Sequence, residues 1–239
     1  MRVLVTRPKP QASGTARRLE ALGHVPLVAP MLETVALPPP PLPAAGALAV
    51  TSRTAFDVLA GHPDLPAILG RRLYAVGDAT AAAARARGFT HVASAAGDVG
   101  DLARLIAADA PAGGVTHLAG EERAGDLAGD LARHGIAATT VALYRMAATE
   151  RLPGPALDAL RAGAIDAILV YSPRSAAALL AAAERDGVAA AVLATPLLTL
   201  SEAVAAPLRT AGAARLSVAR RPDETALLGL LATGGTAGR

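Results

Sequence analysis

The sequence predicts an α/β protein with mostly parallel sheets, organised as two related lobes. One observation is that short apolar runs alternate with longer segments in which leucine and alanine recur at helical spacing. The other is an internal repeat, in which TSRTAFDVLAG from Thr51 resembles YSPRSAAALLA from Tyr171. Alternation of strands and helices is typical of βαβ units, which build parallel sheets.

Six apolar runs are predicted to be strands, because each is short, apolar and followed by a helical segment. In order they are VLVT (Val3 to Thr6), LAVTS (Leu48 to Ser52), LYAVG (Leu73 to Gly77), VTHLAG (Val115 to Gly120), AILVYS (Ala167 to Ser172) and LLTLS (Leu197 to Ser201). Glycine tolerates the left-handed backbone that often ends a helix. Four helices are therefore predicted to end at Gly23, Gly88, Gly135 and Gly212.

Two stretches interrupt the alternation at corresponding places in the two halves. VAPMLETVALPPPPLP (28–43) and VALYRMAATERLPGP (141–155) each begin extended and end in prolines, which neither continue a helix nor donate in a sheet. Two crossings of the chain make the first lobe discontinuous. We predict a first lobe of residues 1–30 and 153–239, a second lobe of 44–140, and a two-stranded linker of 31–43 and 141–152. A ligand site is expected in a cleft flanked by both linkers.

Composition excludes several classes of site. The 239 residues contain no Cys, so disulfide frameworks, zinc thiolates and cysteine nucleophiles are excluded. The five histidines never pair at helical spacing, and the dinucleotide, Walker and G-x-S-x-G motifs are missing, so we expect no metal, no nucleotide cofactor and no acyl hydrolase. A net charge of +3 without a basic stripe argues against nucleic acid, and no run is apolar enough to span a membrane. We expect a cytoplasmic monomer.

Hydroxyl-bearing turns recur where predicted strands meet helices. In an open parallel sheet these turns lie beyond the carboxyl ends of the strands, where ligands bind, and helix-start N–H groups can hold a carboxylate. The candidate binding residues are Thr6, Arg7, Thr51, Ser52, Gly77, Thr80, Ser172 and Arg174. Ser52 and Ser172 are equally what helix N-caps require, so the turns predict either capping or anion binding.

Three further side chains have two interpretations each. Arg7 and Arg174 lie just past strands, where they either pair with a substrate carboxylate or remain solvated. Tyr144 lies in the second crossing, where its phenol either serves as a proton source or packs between elements with a wet hydroxyl.

An ordered set of motifs resembles the uroporphyrinogen-III synthase family over nearly the whole chain. The motifs are VLVTRP, TSRTAFDVL, YAVGDATAAAARARGF, LAGEERAGDLAGDLARHG followed by VALYRM, and YSPRSAAALL. The resemblance implies two Rossmann-like lobes joined by a two-stranded linker. It also implies a cofactor-free lyase that cyclises hydroxymethylbilane, with loss of water and inversion of the last pyrrole ring, in haem biosynthesis. Transient contact with the enzyme that makes this substrate is implied as well.

The same resemblance assigns roles to individual residues. Tyr144 in ALYRM matches the linker tyrosine of the family, the candidate for assisting loss of water. Gly77 and Thr80 match its V-G-x-x-T turn, whereas Thr51, Ser52 and Ser172 match turns that face the cleft. The chain departs from the pattern in LTLSEAVAAPL, where Ser201 and Val204 replace a glycine and a threonine. That departure leaves a noncatalytic two-lobed binding or regulatory module for an anionic small molecule as the alternative.

Overall fold

The computed structural model describes residues 1–9, 11–123 and 125–233. It confirms an α/β protein whose sheets are mostly parallel. The terminal GGTAGR, expected to be a flexible tail, lies outside the described residues. In the part of the chain that is described, no helix combines the length and the apolar character needed to cross a membrane.

The elements alternate along most of the chain. Those up to residue 109 are β1 (Arg2–Val5), α1 (Gln11–Ala21), β2 (Val25–Val28), β3 (Leu32–Ala36), β4 (Ala47–Val50), α2 (Thr54–Leu59), α3 (Leu65–Ile68), β5 (Arg72–Ala75), α4 (Asp78–Ala86), β6 (His91–Ser94) and α5 (Val99–Asp109). Those that follow are β7 (Val115–Gly120), α6 (Leu127–Arg133), β8 (Ala138–Ala148), α7 (Gly154–Arg161), β9 (Ala167–Val170), α8 (Pro173–Arg185), α9 (Ala189–Ala194), β10 (Leu197–Thr199), α10 (Glu202–Thr210), β11 (Leu216–Val218) and α11 (Glu224–Thr233). All six predicted strands are present.

The chain forms two compact units. Unit 1 consists of Met1–Glu33 and Ala147–Arg239, and unit 2 of Thr34–Met146. The sheet of unit 1 has the strand order β11-β10-β9-β1-β2, and that of unit 2 has the order β3-β8-β7-β4-β5-β6. Apart from β3 and β4, which the proline-rich segment joins, successive strands of each sheet are separated by helices. The carboxyl ends of the parallel central strands therefore meet at one edge of each sheet.

Central strands are apolar because both of their faces are covered. Every residue of β4 and β9 is buried, as are Val3 to Val5 of β1. In unit 2 one face packs on α2 and α4. The rings of Phe56 in α2 and Phe89, which follows α4, meet edge to face with 5.8 Å between centroids. Helix ends follow the prediction, since Gly23, Gly88, Gly135 and Gly212 all have positive φ.

The proline-rich segment before β4 is fixed by one arginine. The guanidinium of Arg71 donates to the carbonyls of Pro43, Ala45 and Gly46 at 2.6, 2.6 and 2.8 Å. Prolines leave this segment few donors of its own, so Arg71 supplies its hydrogen bonds from outside. Burial lowers the pKa of Arg71.

The corresponding segment after β8 is fixed by a carboxylate within unit 1. Asp186, whose side chain is buried, accepts from the backbone N–H of Leu152 at 2.8 Å and from the guanidinium of Arg151 at 2.8 Å. Residues 141–148 of the predicted second linker belong to β8.

Candidate active site

A pocket of about 360 Å³ opens at the carboxyl edge of the unit 2 sheet. It lies where β4, β5 and β7 end, the position expected of a ligand site in an open parallel sheet. Its walls are formed by Thr51, Ser52, Val76, Asp98, Val99, His117, Ala119, Gly120, Glu122, Arg123, Gly125 and Tyr144. Three of the predicted site residues, Thr51, Ser52 and Tyr144, therefore line one pocket.

A β-bulge places Tyr144 in this pocket. β7 and β8 pair in register up to Ala119 and Ala142, and then the register shifts so that Gly120 lies opposite Tyr144. Such a bulge re-aims the side chain that follows it. Tyr144 is buried except for 7% of its surface, and no side-chain hydrogen bond of its phenol is found among the described residues.

Gly120 makes room for the tyrosine ring. A Cβ added at Gly120 would lie 2.8 Å from Cε2 and 3.0 Å from Cζ of Tyr144, closer than a side chain tolerates. Because the backbone of β7 is bare at this point, the ring lies directly against it. The sequence signal for this contact was the glycine that ends the apolar run VTHLAG.

Thr51 and Ser52 follow β4 and have different partners. The Thr51 hydroxyl lies 3.1 Å from Nε2 of His117 on β7. The Ser52 hydroxyl accepts from the N–H of Thr54, at 3.3 Å, in the turn that begins α2. Ser52 is thus engaged by the backbone of a turn, but the N-cap of α2 is Arg53 and not Ser52 as the capping interpretation predicted, whereas Thr51 contacts a side chain.

His117 was missed by reasoning from sequence, although a histidine within an apolar strand is a signal. It is 3% exposed and lines the pocket. Burial, with a smaller contribution from the positive charge of Arg123, lowers the pKa of His117 to about 4. The imidazole is therefore neutral at physiological pH.

Two carboxylates also line the pocket, and both accept hydrogen bonds from the backbone. Asp98 caps α5 by accepting from the N–H of Asp101 at 3.0 Å, and Glu122 accepts from the N–H of Met146 at 3.1 Å. The pocket wall thus carries two carboxylates and one arginine, Arg123, a set of charges that does not favour an anion.

The predicted turn after β5 lies at the start of α4. Gly77 is the N-cap, with φ −158° and ψ 172°, an extended conformation that any residue can adopt. A Cβ added at Gly77 would meet no atom within 4 Å, so this turn leaves its backbone open to approach. Thr80 lies in the first turn of α4 and is 6% exposed.

The predicted residues of unit 1 are at the carboxyl edge of their own sheet, and several are engaged. Thr6 is fully buried and its hydroxyl donates to the carbonyl of Leu169 at 2.7 Å, so it joins β1 to β9 and is not open to a ligand. Arg7 is 3.2 Å from the carboxylate of Glu224, and its guanidinium lies over the ring of Tyr171, 4.4 Å from the centroid.

Ser172 and Arg174 lie at the start of α8. The Ser172 hydroxyl accepts from the N–H of Ser175 at 3.1 Å, which makes it a helix cap. Arg174 is an exposed residue in the first turn of the same helix. The unit 1 edge is thus occupied by contacts within the chain to a greater extent than the unit 2 pocket.

Comparison with known proteins returned one family and one fold. The sequence matches the family model for uroporphyrinogen-III synthase HemD over residues 13–229. A search of curated proteins found no match. The protein resembles the uroporphyrinogen-III synthetase structure from Helicobacter pylori 26695, at 20% identity and TM-score 0.63, with 98% of this chain and 99% of that chain covered. A mutant uroporphyrinogen III synthase from the extremely thermophilic bacterium Thermus thermophilus aligns at 18% identity and TM-score 0.47, with 100% of both chains covered.

Proposed function

This chain belongs to the uroporphyrinogen-III synthase family, and we propose that the unit 2 pocket receives the hydroxymethyl end of hydroxymethylbilane. The family consists of lyases of tetrapyrrole biosynthesis that convert this small molecule to uroporphyrinogen III. The pocket residues of this chain suggest where the leaving hydroxyl of the substrate binds.

The observation that carries the proposal is the Tyr144 side chain, which is buried and lines the pocket. Its hydroxyl has no hydrogen-bond partner among the described residues. Loss of water breaks the carbon–oxygen bond of the hydroxymethyl group, and the departing oxygen needs one proton. The Tyr144 hydroxyl is the proton donor in this proposal. Ring closure later releases one proton, which restores the phenol, so the net products are uroporphyrinogen III and one water.

Pocket charge and size support the choice of the hydroxymethyl end. Asp98 and Glu122 disfavour the carboxylate side chains of the substrate, whereas a neutral hydroxyl has Thr51 and Tyr144 as hydrogen-bonding neighbours. A volume of about 360 Å³ is near the lower end of the usual range for ligand pockets, roughly 300–1,000 Å³. It suits one substituted pyrrole rather than a whole tetrapyrrole.

Substrate carboxylates are proposed to bind at helix starts instead. The turn at Gly77 and Thr80 presents the first N–H groups of α4, and that at Ser172 and Arg174 presents those of α8. The helix dipole favours negative charge at both places, opposed at the start of α4 by Asp78 and supported at the start of α8 by Arg174. Ser52 instead lines the unit 2 pocket, so it belongs with the proposed binding site for the hydroxymethyl end.

The test is conversion of freshly generated hydroxymethylbilane by the purified protein, followed by separation of the type I and type III isomers after oxidation. We expect the type III isomer in excess over a protein-free control, in which the substrate closes spontaneously to type I. Type I product alone would sink the proposal. If hydroxymethylbilane changes the amide hydrogen-exchange protection of unit 2 but is not converted, the noncatalytic binding module is favoured instead.

We also propose that the protein is a cytoplasmic monomer that receives its substrate in transient contact with the enzyme that makes it. Support comes from the substrate, which is labile and cyclises on its own once released. Sedimentation velocity with and without that enzyme checks the oligomeric state and the contact. A stable dimer would remove the first statement, and sedimentation unchanged by that enzyme would remove the second.

A further inference from the structure

His117 has no role in the proposed reaction so far, although it is the most deeply buried ionisable group of the pocket wall. It lies on β7 with Ala49 opposite it on β4 and Thr140 opposite it on β8. Thr51, two residues beyond Ala49, is on the same face of the sheet because side chains alternate along a strand. The small side chain of Ala49 lets the imidazole reach Thr51.

The two ring nitrogens of His117 are treated unequally by the fold. Nε2 lies 3.1 Å from the Thr51 hydroxyl. Nδ1 is buried and has no hydrogen-bond partner among the described residues. Leaving a buried polar atom without a partner costs free energy, so a histidine at this position is unfavourable for folding alone.

A second buried histidine of unit 2 shows the arrangement that folding favours. Nδ1 of His62 accepts from the N–H of Asp64 at 3.1 Å, and Nε2 lies 3.0 Å from the carbonyl of Pro40. His62 is 6% exposed, so its burial is close to that of His117. Both nitrogens of His62 are satisfied, which marks it as a structural residue and makes it a matched control.

We propose that His117 is a positioning residue that orients the Thr51 hydroxyl toward the leaving hydroxyl of the substrate, an inference that rests on the proposed function. A buried N–H without an acceptor is rarer than a buried lone pair without a donor, which favours the tautomer with the proton on Nε2. Nε2–H then donates to Thr51 Oγ1. The hydroxyl proton of Thr51 is left to donate to the oxygen that departs as water.

Two amide substitutions at His117 distinguish the roles of its two ring nitrogens. Glutamine places its side-chain amide near the position of Nε2, and asparagine places it near that of Nδ1. We expect His117→Gln to keep kcat within about threefold, and His117→Asn and Thr51→Val each to lower kcat about tenfold with little change in KM, the pattern of an interaction made in the transition state. The double variant His117→Asn/Thr51→Val should lose no more than either single change.

Controls and a second measurement decide among the outcomes. His62→Asn should lower the melting temperature without the loss of kcat. Equal kcat for His117→Asn and the unchanged protein, or losses of kcat that multiply in the double variant, would overturn the inference. If the unchanged protein still forms type III product in that case, the proposed function stands. If the unchanged protein forms only type I product, both are overturned.

Imidazole ¹⁵N NMR tests the contact independently of activity and of how the variants fold. We expect the Nε2–H tautomer in the unchanged protein, with a shift of the Nε2 resonance on Thr51→Val. An Nδ1–H tautomer, or a resonance indifferent to Thr51→Val, would overturn the assigned orientation.

Discussion

The carboxyl edges of the two sheets carry related turns but different contents. In unit 1, Glu224 accepts from Arg7, Thr15 and Arg18, and Arg7 also covers the ring of Tyr171. Burial raises the pKa of the Tyr171 phenol, partly opposed by the neighbouring Thr15 and Arg7. In unit 2 the corresponding edge holds an open pocket with a half-partnered histidine. The unit 1 edge is thus filled by hydrogen bonds and ion pairs within the chain, although the buried Tyr171 hydroxyl has no partner among the described residues, whereas the unit 2 edge keeps an open pocket for the ligand of the proposed function.

The largest expected effect is on catalysis at the unit 2 edge. Tyr144→Phe removes the proposed proton donor but keeps the ring that packs on Gly120, so we expect kcat to fall by about 10²-fold or more. The melting temperature should stay close to that of the unchanged protein. Isomer-resolved turnover and thermal unfolding measure the two quantities. A parallel loss of stability and activity would instead assign Tyr144 to packing.

The next effect concerns pH and the stability of unit 2. The unfolded chain protonates His117 below pH 6.5, whereas the folded protein keeps it neutral down to about pH 4. Because only the unfolded chain binds this proton between these two pH values, the free energy of unfolding is unaffected by His117 above pH 6.5. It falls as the pH drops from there to the folded pKa, by up to about 3 kcal/mol. The other charged groups of the pocket wall are Asp98, Glu122 and Arg123, and a His117 variant retains all three.

Denaturant unfolding at pH 7 and pH 4.5 checks this expectation. The fall in the free energy of unfolding should be smaller in His117→Gln than in the unchanged protein. Identical pH dependence in the two proteins would show that His117 titrates normally.

Gly120→Ala tests how closely the tyrosine ring must approach β7. The added methyl would meet the ring at 2.8 Å, so either the ring or the strand has to move, at a cost of about 1–3 kcal/mol. We expect lower stability together with lower kcat. Gly70→Ala serves as the control, because a Cβ added at Gly70 would meet no atom within 4 Å.

At the unit 1 edge, Glu224→Gln should affect stability more than activity. The side chain of Glu224 is 17% exposed and receives three hydrogen bonds, so we expect a loss of about 1–2 kcal/mol in the free energy of unfolding. Glu202→Gln, which breaks the exposed pair with Arg209, should leave the melting temperature nearly unchanged. A large loss of turnover in Glu224→Gln would show that the unit 1 edge also serves the reaction.

The smallest effect is expected from exchanging the N-cap residues of α4 and α10. Gly77 and Ser201 have nearly the same backbone, with φ −158° and ψ 172° against φ −159° and ψ 167°. Both Gly77→Ser and Ser201→Gly should therefore fold. If the α4 turn binds a carboxylate, Gly77→Ser raises KM by roughly threefold to tenfold through crowding, and Ser201→Gly leaves it unchanged. Equal KM values for the two variants would remove Gly77 from the proposed site.

Much of the fold was predictable because its signals are local. The run AILVYS predicted β9, and the glycine in ARARGF predicted a helix end with positive φ. The edge strands β2, β6 and β11 were missed, since VPLV, HVAS and LSV are each only three or four residues long and show no clear periodicity. Local patterns identify an element when its own residues determine it.

The site was predictable only in part because its contacts are long-range. Thr51 and Tyr144 were named from turn and family patterns, and both line the pocket. The local sequence predicts neither the contact of His117 with Thr51 nor the bulge opposite Gly120, since each depends on strand register. Register is set by the whole sheet, so these features appear only in the folded chain.

The division of unit 1 into two chain segments has a consequence for synthesis on the ribosome. β1 pairs with β9, with Val3 opposite Ala167, so the sheet of unit 1 waits for more than half of the chain to be made. Unit 2 is contiguous and can complete its sheet first. During that interval one side of β1 presents unpaired backbone, which can template aggregation of the nascent chain. Overproduction in a host with little chaperone capacity should therefore yield inclusion bodies in which unit 2, rather than unit 1, retains native structure.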